Sequence, residues 1–208
     1  MTDDLNAPQR RAIQYFYVDG SFEFGFGLLC LVLAAYFYVE IHAQGLLLAL
    51  VDSSLILVMF GGAWLINRLI KKLKEGITWP RTGYVAYSRE RGLKRGWRVA
   101  LGFVIGGLVA AVVAVLVTLP GHSNLMTVFS GILLGMVLVI IGWRAKLFRF
   151  YLLAGLSAGI GIGLGYSGLQ NITSLAIYYL TFSLVLFTTG VCVLRSYLRQ
   201  NPTNQEGE

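Results

Sequence analysis

Residues 125–149 read LMTVFSGILLGMVLVIIGWRAKLFR. The nineteen positions from Leu125 to Trp143 carry no charge, and three cations, Arg144, Lys146 and Arg149, follow within the next six. The run is too long for a core strand and matches the ~20 residues with which a helix crosses ~30 Å of hydrocarbon. Lipid offers backbone groups no hydrogen-bond partner, so a spanning run of this kind must be helical. The cations mark the end at which it leaves the bilayer on the cytoplasmic side.

Five further runs resemble this one: about 21–41, 45–67, 99–119, 150–170 and 174–194. None of the six contains Lys or Arg. The composition agrees, with 56% hydrophobic and 13% charged residues, against about 25% charged in soluble domains. So much apolar surface on a short chain cannot be hidden in a water-soluble core. The expected fold class is therefore all-α: an integral membrane bundle of about six transmembrane helices arranged as three hairpins. Residues 1–20 form a cytoplasmic N-terminal segment, 21–194 the transmembrane domain, and 195–208 a cytoplasmic tail.

The connections alternate in character. His42-Ala43-Gln44, residues 120–124 and Asn171-Ile172-Thr173 hold no Lys or Arg. All 17 cations lie in the other four regions, ten of them between Arg68 and Arg98. This asymmetry is the positive-inside pattern and places both termini in the cytoplasm. The net charge of +7 thus reads as topology rather than as a nucleic-acid surface. The polar first twenty residues lack the apolar stretch and cleavage site of a secretory signal. Trp64, Trp79, Trp97 and Trp143 fall near the inner boundary, and Tyr36, Phe37 and Tyr38 near the outer one, where amphipathic rings prefer to sit.

The basic loop 68–98 is the most distinctive surface. Juxtamembrane cations attract anionic lipid, at about 1 kcal/mol each. Topology and lipid contact alone account for such a loop; an acidic partner is the alternative. Tyr15-Phe16-Tyr17-Val18-Asp19-Gly20-Ser21-Phe22-Glu23 and Pro80-Arg81-Thr82-Gly83-Tyr84-Val85 together resemble an uncharacterised family of small prokaryotic polytopic membrane proteins. The resemblance implies a bacterial or archaeal cytoplasmic-membrane location and supplies no catalytic residues.

Asp19 and Glu23 lie four apart at the start of the first run and share a helix face. Capping suits them, because acids favour a helix N-terminus. The sharper expectation is that one of them pairs with Arg81, so that the loop segment carrying Arg81, Gly83 and Tyr84 docks beneath the bundle. Asp52 is the only acid well inside a run, and an intramembrane acid is a functional candidate by default. Glu40, His42 and His122 have no metal-ligand spacing. No cofactor or metal site is expected, and no nucleophile–base set for an enzyme. Cys30 and Cys192 are expected to be free, buried thiols.

The fifth run is rich in glycine. Gly155 and Gly159, Gly159 and Gly163, Gly161 and Gly165 form small-xxx-small pairs, as do Gly131 and Gly135 in the fourth. Such pairs permit close helix contact within the bundle, or homo-oligomerisation and contact with other membrane proteins. No inverted repeat of the transporter kind is evident. Two functional expectations remain: a non-enzymatic accessory or interaction protein whose basic loop meets lipid or an acidic partner, and a small transporter or channel using Asp52 as a proton or cation site.

Overall fold

The computed structural model of the chain describes residues 17–78 and 125–200. These are all-helical: α1 Ser21–His42, α2 Leu46–Leu73, α3 Leu125–Ala145, α4 Phe148–Gly165 and α5 Asn171–Gln200. Four of them, α1, α3, α4 and α5, are long and apolar enough to cross a membrane, and a bent α2 makes a fifth. The expected third run, 99–119, and most of loop 68–98 lie outside the described residues.

The apolar runs set the helices, and local chemistry moves their ends. α2 continues past the expected residue 67 to Leu73 and then into a π-helical turn, Lys74–Thr78. Its last turns carry Ile66, Ile70 and Lys74, successive members of one i, i+4 stripe, and all three are buried. α4 stops at Gly165, short of the expected 170. Gly168 adopts φ 75°, a left-handed conformation closed to a continuing right-handed helix and cheap only for glycine. The connection anticipated at Asn171–Thr173 is therefore the first turn of α5, and the chain reverses just before it.

α2 bends by 49° between Leu46–Leu55 and Leu57–Gly76. Two hydroxyls act on one carbonyl just before the bend. Ser54 Oγ donates to the Val51 carbonyl at 2.8 Å and Tyr36 Oη donates to it at 2.9 Å, while Ser53 Oγ donates to the Leu50 carbonyl at 3.0 Å. Such side-chain competition with the helical ladder is a recognised cause of bending.

Helices joined by a short turn run antiparallel, whereas α3 and α5, which also touch, run parallel. α1 lies along α5, α3 along α4, and α2 flanks α1. Cys30, Leu138, Phe150, Leu153, Ala154, Phe182 and Leu186 form the core between α1, α3, α4 and α5. Glycine permits the closest approaches. A Cβ on Gly131 would meet the Gly161 Cα and the Ser157 carbonyl at 2.8 Å, and a Cβ on Gly161 would meet the Gly131 Cα at 2.8 Å. Hydroxyls finish the contact. Ser157 Oγ donates to the Gly131 carbonyl at 2.9 Å and lies 2.7 Å from Tyr178 Oη. Ser183 Oγ donates to the Gly27 carbonyl at 2.8 Å across the α1–α5 seam.

The glycine stripe thus divides. Gly131, Gly135 and Gly161 are packed, whereas Gly155, Gly159 and Gly163 have no neighbour within 4 Å of the position a Cβ would take. The two cysteines divide as well: Cys30 is buried, but Cys192 is exposed on α5, contrary to expectation. Its helical turn leaves the α1 seam formed by Gly190 and faces outward. Of the outer aromatics, Tyr38 is exposed, while Tyr36 is buried and Phe37 stacks on Tyr179 at 5.5 Å.

Forcing a branched side chain into a packed helix seam costs about 1–3 kcal/mol. Gly131→Val is expected to lower unfolding stability in detergent by that amount, and Gly159→Val to leave it within about 0.5 kcal/mol. Thermal unfolding of the two variants side by side checks this.

Candidate functional site

The site begins with a turn. Gly20 takes φ 75° and lies so close to α5 that a Cβ would meet the Gly190 carbonyl at 2.8 Å. Both conditions demand glycine. The turn carries Asp19 back over the start of α1. Asp19 Oδ1 accepts the Ser21 backbone N–H at 3.1 Å and the Ser21 hydroxyl at 2.7 Å. Asp19 thereby satisfies one of the orphan donors of the first turn, where negative charge also suits the helix dipole. Its other oxygen, Oδ2, lies 3.4 Å from Lys74 Nζ.

One turn further along α1, Glu23 Oε1 lies 2.7 Å from Arg149 Nε at the start of α4. The mutual orientation of these atoms is not that of a hydrogen bond, so the contact is an ion pair. The guanidinium is positioned from its far side: Nη2 donates to the Tyr17 carbonyl and Nη1 to the Val18 carbonyl, the latter at 3.5 Å. Asp19 and Glu23 are both 0% exposed. Two acids at the start of α1, Lys74 just past the end of α2 and the partly exposed Arg149 of α4 therefore form a charge-balanced quartet at one end of the bundle.

Aromatic rings seal it from the hydrocarbon side. Tyr17 packs edge-on against Phe22 at 5.0 Å and Phe150 at 5.7 Å, and Phe22 stacks on Phe26 at 5.6 Å. Burial pushes the Tyr17 phenol above its ordinary value; the Arg144 cation opposes this and the Glu23 carboxylate adds to it. The phenol stays neutral at physiological pH and adds no charge.

Of the residues singled out from the sequence, Asp19 and Glu23 come together here with Lys74 and Arg149. Arg81, Gly83 and Tyr84 lie outside the described residues. Asp52 lies on α2 near the bend, at the other end of the bundle from the quartet. His42 Nδ1 is 2.9 Å from the Tyr38 carbonyl, a contact within its own helix turn. Among the described residues, no three His, Cys, Asp or Glu side chains gather where a metal ion could be held. A groove of about 480 Å³ between the outer halves of α1 and α5 is lined by Leu31, Ala35, Tyr38, Ala176, Ile177 and Leu180, among others. Its walls are mostly apolar.

Lys74 and Arg149 did not stand out in the sequence, yet both carried a signal. Lys74 continues the buried Ile66–Ile70 stripe, and Arg149 precedes the buried Leu153 and Ser157 on its own i, i+4 stripe. A cation on a stripe that faces inward must find an anion. No protein family, curated protein or solved structure matches the chain.

Removing one partner of a buried ion pair costs about 3–5 kcal/mol, because the other charge is left uncompensated. Glu23→Gln and Arg149→Gln are each expected to destabilise the protein on that scale, and the double variant by less than their sum. Equilibrium unfolding in mixed micelles gives the coupling energy. Additive losses would contradict the pairing.

Proposed function

We propose that the chain is a non-enzymatic, six-span protein of a prokaryotic cytoplasmic membrane, with both ends in the cytoplasm. In this reading its basic loop 68–98 meets anionic lipid head groups or an acidic partner. The observation that carries the proposal is the inward use of acids at the charged end. Asp19 and Glu23 turn into the bundle onto Lys74 and Arg149, while Arg144, Lys146, Arg195 and Arg199 stay exposed. The surface at that end is left strongly cationic, a charge complement to anionic head groups.

The path of the chain supports the sixth span. Lys74 lies beside Asp19, at the quartet end. Leu125 begins α3 at the opposite end, because Gly131 and Gly142 of α3 face Gly161 and Phe150 of the antiparallel α4, whose first turn carries Arg149. In this reading the 46 residues between Thr78 and Leu125 link the two ends. Within them, 99–119 is the charge-free run long enough to cross. The packed interior fits an interaction protein, since the hydroxyls of Ser157, Tyr178 and Ser183 are used for helix contact.

Affinity purification from native membranes tests the proposal. The native chain is expected to bring down a defined acidic partner or an excess of anionic lipid, and Arg81→Glu to lose either. Equal recovery with both chains would set the proposal aside.

One observation favours a second reading. The bend in α2 falls four residues after Asp52, and broken helices beside intramembrane acids are a feature of transporters. In that reading, proton or cation flux into proteoliposomes appears with the native chain and is lost with Asp52→Asn. Absence of flux from the native chain removes it.

A further inference from the structure

The α3–α4 hairpin turns in two residues, and the turn contains an anomaly. Leu147 N–H donates to the Gly142 carbonyl at 3.3 Å, and Lys146 adopts φ 53°. This is the pattern of a helix closed by a left-handed residue just beyond its last turn, a place that glycine normally fills because it has no Cβ to clash. Lys146 is the sole non-glycine with positive φ among the described residues. A chain with 25 glycines thus carries lysine where glycine would cost less. A costly backbone position held by a functional side chain points from the outlier to a role.

The surroundings of Lys146 say what that role is. Three cations follow the apolar run of α3. Arg149 is consumed inside, by Glu23 and the Tyr17 and Val18 carbonyls. Arg144 and Lys146 are exposed and make no ion pair among the described residues. In sequence they lie between two large exposed rings, Trp143 at 75% exposure and Phe148 at 72%. Gly142 and Phe150 are packed together directly behind the tip, with a Cβ on Gly142 only 3.1 Å from Phe150 Cβ, so the tip is held by a tight seam. If this end of the bundle leaves the hydrocarbon, two exposed cations and two exposed rings on one short turn match a phospholipid in both of its parts. The rings suit the interface, and the cations suit an anionic phosphate. A soluble acidic protein would meet the cations but not rings lying at membrane depth.

We infer that the α3–α4 tip, residues 143–148, is a binding site for the head group of an anionic phospholipid, with Arg144 and Lys146 as its phosphate ligands. The inference rests on the reading that this end of the bundle faces the cytoplasmic leaflet. It adds residues 143–148 to the lipid contact proposed for loop 68–98.

The test uses the full chain in neutral detergent with equal phosphatidylglycerol and phosphatidylcholine, and native mass spectrometry to count retained lipid. The native chain is expected to retain phosphatidylglycerol preferentially. Lys146→Gly should lower that preference about fivefold, the loss expected of one interfacial cation, and Arg144→Gln/Lys146→Gln should lower it further. Lys146→Gly should also melt at the same or a higher temperature in lipid-free detergent, because glycine relieves the backbone. Loss of lipid without loss of stability thus separates binding from folding. Arg81→Gln distinguishes the tip from the loop. Retention lost with Arg81→Gln but unchanged with Lys146→Gly overturns the tip site and leaves the loop reading standing, and unchanged retention in both overturns both. Competition by excess inorganic phosphate or by polyglutamate equal to that by phosphatidylglycerol also overturns the inference, since it marks a site for free anions or acidic chains rather than for a lipid.

Discussion

The structure depends on the scarcity of water within the bilayer. A charge taken into that environment must be paired or brought to a surface, and backbone groups must be closed within helices. Asp19 and Glu23 show the first requirement most clearly. Both are fully buried, and each lies against a cation from another helix, Lys74 from the end of α2 and Arg149 from the start of α4. The pairs join three helices through residues more than fifty apart in sequence. Buried pairs contribute little net stability against an apolar alternative, but they penalise arrangements that separate the partners. Their effect is to specify which helix ends meet.

Further from the quartet, the same requirement is met without charge. Lipid tails are as apolar as leucine, so helices gain little from hydrophobic contact with one another and associate through close packing and hydrogen bonds. Gly131 against Gly161, and Gly27 beneath Ser183, bring backbones near enough for a serine to bond a carbonyl on the facing helix. The α3–α4 and α1–α5 seams are thus built alike. They are joined by the Ser157–Tyr178 hydroxyl contact between α4 and α5, and by Phe150 of α4 against the Tyr17 and Phe22 rings. α2 packs chiefly on α1, and much of its remaining surface, including Leu57, Phe60 and Trp64, is exposed.

Much of this was legible in the sequence. The charge-free runs located α1 and α3 to within two residues, because length and the absence of charge are properties of the chain itself, whereas α5 runs six residues past its expected end into the charged tail. Helix ends were less legible. Gly168 and the buried Lys74 move the ends of α4 and α2, and both effects need tertiary geometry to be seen. The glycine-rich run could be recognised as a packing motif, but not which of its faces is used. Gly161 meets α3, whereas Gly155 and Gly159, on other turns of the same helix, meet nothing among the described residues. At the site, Asp19 comes from the Gly20 turn that precedes α1 rather than from a shared helix face, yet the closeness of Asp19 and Glu23 was evident from their spacing. Their partners were not, because partner choice across helices is set by which ends the fold brings together. Even so, Lys74 and Arg149 lay on inward stripes and could have been proposed on that ground.

The central claim is that the helices cross a bilayer with the quartet end and the outer turn on opposite sides. Single cysteines at Gln44 and Gln200, in a chain from which Cys30 and Cys192 have been removed, test it most directly by labelling with a membrane-impermeant maleimide. The cysteine at position 44 should react only in right-side-out vesicles, and the one at 200 only in inside-out vesicles. Reaction of both from the same side would contradict the account.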